Sequence, residues 1–256
     1  MEQNQANNRH SDYIQLDSSS TNILSHINPW IIVWWSAAFP GAGHLLLGIK
    51  LTAYILIVFE LIVNNMANIN DAIFLSMIGD FHGAKEVLEK KWFFGYMGIF
   101  VFSMYDGYRR TVELNKIYLL SYRTMNSGAT SKISSWGRNF VDLSSPGLSL
   151  FWSFITPGTG AVLVTRIPAF IFALSWWGVT VINSHWFEGI YYTAIGDFEH
   201  AKVILEPQWL LFIPSIILFS MYYGYHDTIK ENKAFKISQA KFFKENYQSP
   251  VFKKPI

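Results

Sequence analysis

Residues Pro29 to Lys116 match residues Pro146 to Lys233 without a gap, at a constant offset of 117 positions. Trp35-Ser36, Pro40-Gly41 and Gly43 fall on Trp152-Ser153, Pro157-Gly158 and Gly160. Ile78-Gly79-Asp80-Phe81 falls on Ile195-Gly196-Asp197-Phe198, and Phe102 to Tyr105 falls on Phe219 to Tyr222. Gly107-Tyr108, Thr111 and Asn115-Lys116 recur as Gly224-Tyr225, Thr228 and Asn232-Lys233. A match of this length predicts a duplicated module rather than a solenoid unit. Each half must then fold into the same succession of elements, and each can be read against the other.

What such a module folds in follows from its apolar runs. They are Trp30 to Phe39, Leu45 to Val63 and Trp92 to Tyr105, then Leu148 to Ile155, Ala161 to Ile182 and Trp209 to Met221. Several approach the ~17–25 residues a helix needs to cross a hydrocarbon core. Charged residues make up 15% of the chain, against about 25% in soluble domains, and mean hydropathy is positive at +0.20. Trp, Tyr and Phe cluster at the ends of the runs, where interfacial aromatics sit. The expected fold is therefore an all-α, multi-pass membrane protein of two tandem repeats. Each repeat comprises a Pro-Gly hairpin, a long helix, a short amphipathic helix and a further spanning helix.

Basic residues set the expected orientation. Between the copies lie Arg109, Arg110, Lys116, Arg123, Lys132 and Arg138 against Glu113 and Asp142; after Tyr225 come seven lysines against Asp227, Glu231 and Glu245. The positive-inside rule places both segments in the cytoplasm, so each copy crosses an even number of times and the N-terminus is inside too. The expected organisation is a disordered polar tail over 1–28, repeat one over 29–116, a cytoplasmic linker over 117–145, repeat two over 146–233 and a basic tail over 234–256. Residues 1–28 lack the basic start and apolar centre of an export signal.

With three apolar stretches per copy, one must not span. The first is about 10 residues, roughly 15 Å as a helix, and runs into Pro40-Gly41-Ala42-Gly43. Proline removes a donor and glycine permits a reversal. Pro29 to Leu47, and Leu148 to Val164 likewise, therefore read as a re-entrant or interfacial hairpin with Pro40, Gly41, Gly43, Pro157, Gly158 and Gly160 at its turn. Three spans per copy, giving inverted repeats, is the rival arrangement. The second stretch reads as one helix over Lys50 to Met77, and the third spans from Trp92 or Trp209 for about 17 residues. Between them, Phe81, Ala84 and Leu88 (Phe198, Ala201 and Leu205 in copy two) form an interfacial amphipathic helix capped by Asp80 or Asp197.

The candidate sites are polar residues in apolar surroundings. Glu60, Asn64, Asn68 and Asp71 are spaced to share one helical face. Copy two has Trp177 and Val181 at the first two places and His185 and Glu188 at the last two. An ionisable group inside a span costs at least ~2.5–3.5 kcal/mol unless paired or hydrated, so Glu60 is the sharpest candidate, against a plain interhelical hydrogen bond. His185 and Glu188 share the i, i+3 spacing of a metal or proton-path pair, but two ligands are too few for structural zinc. No metal site or cofactor is expected, and cysteine is absent from the chain.

Phe39-Pro40-Gly41-Ala42-Gly43-His44-Leu45-Leu46-Leu47-Gly48 resembles the turn of small bacterial membrane proteins with a Pro-Gly-x-Gly-His-x-x-x-Gly signature, loosely related to the two-span domain family. Copy two departs from it, with Ala161 for the histidine and Thr165 for the last glycine. The resemblance implies a membrane hairpin and no activity. No serine-nucleophile elbow, phosphate-binding loop or His-Glu-x-x-His motif is present. The expected function is a non-enzymatic scaffold or assembly partner in the cell membrane, contacting the lipid bilayer and other membrane proteins or its own copies, not nucleic acid. The alternative is a small-solute transporter or proton-coupled permease, with the Glu60 face opposite His185 and Glu188 across a central cavity.

Overall fold

The structure, a computed structural model, describes residues 14–16, 21–124, 131–134, 137–164 and 166–248. It is predominantly helical. After a short hairpin of β1 (Ile14–Leu16) and β2 (Thr21–Ile23), copy one runs α1 (Pro29–Ala38), α2 (Ala42–Leu46), α3 (Lys50–Ala67), α4 (Ile69–Met77), α5 (Phe81–Val87) and α6 (Lys90–Thr124). A second hairpin, β3 (Ser131–Ser134) and β4 (Gly137–Phe140), precedes copy two. There the order is α7 (Pro146–Ile155), α8 (Thr159–Leu163), α9 (Ile167–Asn183), α10 (Trp186–Ala194), α11 (Phe198–Ile204), α12 (Pro207–Leu210) and α13 (Phe212–Tyr247).

The same local chemistry starts each copy. The Asn28 side chain accepts from Trp30 N, and Ser145 Oγ accepts from Leu148 N, each followed by proline at the first helical position, where a missing N–H costs nothing. Gly41 and Gly158 turn the chain with φ of 94° and 93°, a conformation that excludes most other residues. The short helices α2 and α8 then fold back on α1 and α7. Asp80 and Asp197 cap α5 and α11 by accepting from Gly83 N and His200 N.

The second stretch is not one helix, as its unbroken apolar pattern suggests. It breaks at Asn68 (φ 52°) in copy one and at His185 (φ 52°) in copy two, turning α9 and α10 through 57°. A strap holds each break open: Glu89 N donates to Ala67 O at 3.1 Å, and Glu206 N donates to Ser184 O at 3.4 Å. Asn68 Nδ2 adds a bond to Val87 O at 3.2 Å. The third stretch runs well beyond a span, since α6 and α13 have 35 and 36 residues, about 52 Å each.

Packing joins α1 to α6, α7 to α13 and α3 to α6. The copies meet around Phe39, Leu45, Ile57, Trp176, Ile216 and Phe219. Ring pairs cross the junction: Phe39 with Trp176 at 5.7 Å, Trp35 with Phe219 at 5.2 Å and Tyr54 with Phe172 at 4.4 Å. A second cluster gathers Ile23, Tyr118, Val141 and Ala234. The end of the segment expected as a free tail is therefore anchored, with Ile23 and Ile27 buried; residues 1–13 and 17–20 lie outside the described residues. Both flanks expected as linker and tail begin as continuations of helices, α6 to Thr124 and α13 to Tyr247.

By length and composition, α3 is long and apolar enough to cross a membrane. The count rises to three if α9 with α10, and α11 with α12–α13 (bent by 83°), each make one span.

Candidate functional site

Glu60 and Asn64 project inward from α3, 2% and 3% exposed, although Val58, Phe59 and Ile62 beside them are exposed. Asn64 Nδ2 donates to Glu60 Oε1 at 3.2 Å and to Asn70 Oδ1 at 3.3 Å. The network then crosses to copy two: Gln208 Nε2 donates to Asn64 Oδ1 at 2.8 Å, and Asn70 Nδ2 donates to Gln208 O at 2.8 Å. Asp71 contributes through its backbone, its N–H donating to Gln208 Oε1 at 3.1 Å. Burial and the neighbouring Glu206 hold the Asp71 carboxyl above the usual aspartate range. Glu60 Oε2 is buried without a hydrogen-bond partner.

The face predicted from helical spacing is thus only half assembled. Glu60 and Asn64 come together, but the break turns Asn68 aside to Val87 and leaves the Asp71 side chain at the edge. Asn70 and Gln208 complete the network and were not among the predicted residues. One signal for Gln208 was present: its counterpart in copy one is Lys91, so the repeat trades a cation for a neutral amide at this position.

His185 and Glu188 do not face Glu60 across a cavity. They lie about half-exposed, with Nδ1 3.7 Å from Oε1 of the glutamate, and His185 is the left-handed residue that starts α10. Among the described residues no group of three or more His, Asp or Glu is placed to hold a metal.

At the hairpin turns the predicted residues act on packing. Pro40 and Pro157 are fully buried. Gly43 faces Ser36 and the Ile32 backbone, while Gly107 brings α6 within reach of the same Ser36. In copy two Gly160 and Gly224 stand likewise around Ser149 and Ser153. Ser103 Oγ accepts from Gly41 N, and Ser153 Oγ accepts from Gly160 N, each at 3.1 Å. A side chain at either glycine pair would push the hairpin off the long helix.

Searches of protein-family models, curated proteins and solved structures find no match to this chain. What its site does must come from its own residues.

At the base of the hairpins the two copies differ most. In copy one, His44 Nε2 lies 3.1 Å from Asp106 Oδ2, and Asp106 also receives Arg109 Nη2 at 2.8 Å and Arg110 Nε at 3.3 Å. Copy two has Ala161 and Tyr223 in place of the histidine and aspartate. It builds another set instead: Arg166 Nε to Asp227 Oδ2 at 3.0 Å and Lys230 Nζ to Asp227 Oδ1 at 3.3 Å, with Lys230 also donating to Leu46 O of copy one at 3.2 Å. Arg166, Asp227 and Lys230 were not singled out as a site by sequence reasoning, because Arg166 lies far along the chain from the pair on α13.

Proposed function

We propose that this chain is a multi-pass cell-membrane protein of two tandem repeats that serves as a non-enzymatic scaffold or assembly partner. In this reading α3, α9 and the first halves of α6 and α13 span, while α1–α2 and α7–α8 are hairpins entering from the cytoplasmic side. The N-terminus, the segment between copies and the C-terminus then share the cytoplasm, as the basic residues require. The main support is an inside-out surface. Trp30, Trp34, Leu51, Ile55, Phe94 and Phe102 are at least half exposed, while Ser36, His44, Glu60, Asn64, Ser103 and Asp106 are buried. Water would penalise that distribution; a bilayer favours it.

The role as assembly partner rests on how tightly the apolar faces of the copies close on each other at their junction. The cavity at the junction of the copies offers about 30 Å³ and is lined largely by apolar side chains such as Phe39, Ile57 and Trp176, room for about one water. Thiols placed at Ser127 and Gln239 should both resist impermeant reagents in intact cells; labelling of Ser127 alone would sink the even-span topology. Extraction in mild detergent should yield a complex, self-associated or with one reproducible membrane protein, that weakens in Trp34→Ala and Phe102→Ala. A strictly monomeric, partnerless chain would overturn the scaffold reading.

The unpartnered Glu60 Oε2 between the copies favours a proton-coupled permease as the second reading. Glu60→Gln keeps the shape and the bond to Asn64 but removes ionisation. Reconstituted in vesicles holding a pH dye, the wild type should then pass protons and the variant should not; equal traces would remove this reading.

A further inference from the structure

The two copies meet head to tail. Trp35 of copy one packs against Phe219 and Tyr222 of copy two, with ring centroids 5.2 and 5.1 Å apart. Tyr54 stacks on Phe172 at 4.4 Å, and Phe39 meets Trp176 at 5.7 Å. Copy one thus contributes a face from α1 and α3 with the turn between them, and copy two a different face, from α9 and α13. In a two-fold arrangement every such contact occurs twice, with the partners exchanged. The exchanged contact would set Trp152, the counterpart of Trp35, on Phe102 and Tyr105, the counterparts of Phe219 and Tyr222. Trp152, Phe102 and Tyr105 are instead all exposed.

Each copy therefore leaves open the counterpart of the face that the other copy uses. Phe219 is 6% exposed in the junction, whereas Phe102 is 50% exposed outside it; Leu45 is 6% exposed and its counterpart Val162 is 42%. Ile55 and Phe59, at the places of Phe172 and Trp176, are exposed on copy one, and Ile171 and Leu174, at the places of Tyr54 and Ile57, are exposed on copy two. Apolar character is kept at every one of these positions; Phe39 departs, with Thr156 as its counterpart. The copies have diverged at buried places such as His44 and Ala161 or Asp106 and Tyr223, yet keep Trp, Phe and Tyr unchanged at Trp152, Phe102 and Tyr105. Exposed rings are not what holds either copy together, so their retention points to a contact outside the copy.

We infer that the open face of copy two, around Trp152, docks on the open face of copy one, around Phe102 and Tyr105, in a second copy of this chain. The contact repeats between chains the apolar packing that the junction already makes within one chain. Its polar bonds are not repeated, since Lys91 and Val181 stand where Gln208 and Asn64 do, so the contact between chains lacks the hydrogen bonds of the one within. A head-to-tail contact leaves one free face of each kind on every pair, and the assembly closes into a ring or continues as a row. This pairing supplies the partner for the assembly role proposed above and rests on that reading.

The test uses the full chain in lipid vesicles, with chains per particle counted by stepwise photobleaching of a fluorescent label at the C-terminus. Wild type should form particles of two or more chains. Trp152→Ala, and separately Phe102→Ala/Tyr105→Ala, should each associate about tenfold more weakly and give single chains at the same density. Val203→Ala, exposed on α11, should assemble as the wild type does. Mixing the two weakened variants decides the geometry, because each keeps one intact face: the mixture should give particles with one chain of each kind and none larger. That recovery also shows both variants to be folded. Variants that assemble as the wild type does, or a mixture that stays single, would overturn the pairing. Single wild-type chains in vesicles, with a complex recovered from cells that holds a different membrane protein, would overturn the pairing and leave the assembly role standing. Single chains in vesicles and no partner in cells would overturn both.

Discussion

Asn115 and Asn232 perform the same task in both copies. Asn115 Nδ2 donates to Ile27 O at 2.8 Å while its Oδ1 accepts from Ile27 N at 3.1 Å. Asn232 holds Ser144 the same way, at 2.8 and 2.9 Å. Each side-chain amide satisfies both backbone groups of one residue just ahead of the first helix of its copy, which closes the base of the hairpin on the long helix. Asn115→Ala and Asn232→Ala should therefore each destabilise by about 1–3 kcal/mol, read as a lower melting temperature in detergent, and the two losses should be similar. At Gly160 an added Cβ would come within 2.8 Å of Ser149 O and against Ser153 Oγ, whereas Gly95 and Gly98 have open space. Gly160→Ala should cost about 1–3 kcal/mol, and Gly95→Ala should be neutral or slightly stabilising. Asp71→Asn should stabilise at neutral pH, since it removes a carboxylate held beside Glu206 whose ionisation folding disfavours. The sign follows from linkage: a carboxyl with a raised folded value gains stability as pH falls, so the advantage of the variant should shrink on acidification.

Among the elements, the break between α3 and α4, and between α9 and α10, is the decisive departure from the sequence reading. Hydropathy continues across Asn68 and His185, so periodicity extended one helix through both. The break is visible only in backbone angle and in the strap from Glu89 and Glu206, which sit 21 or more residues away. His185 in the left-handed region bears about 1–2 kcal/mol of strain, and its exposed pairing with Glu188 is worth little. His185→Gly should raise the melting temperature by an amount equivalent to about 1 kcal/mol, and an unchanged or lowered value would mean that His185 contributes an interaction beyond its backbone role. By contrast, the Pro-Gly turns, the caps at Asp80 and Asp197 and the helices that follow them were legible, because proline, glycine and capping carboxylates act within a few residues of themselves.

For the molecule as a whole, the junction between copies carries the polar network, and a double-mutant cycle addresses it directly. Asn64→Ala and Gln208→Ala should show a coupling of about 0.5–3 kcal/mol in unfolding free energy, because Gln208 Nε2 meets Asn64 Oδ1 at 2.8 Å. Additive losses would mean that the bond between Asn64 and Gln208 contributes nothing to the junction. The sequence by itself determined the match between its two halves, the helical class, the apolar stretches and the glycine and proline positions of the turns, since each is carried by residues close in the chain or recurring at a fixed offset. Only the tertiary structure decided which polar residues meet. Glu60 and Asn64 reach Asn70 and Gln208 rather than His185 and Glu188, and Arg166 reaches Asp227 and Lys230, because copy two lays α12 against α4 and long-range contact depends on how whole helices pack, which no spacing within one helix specifies.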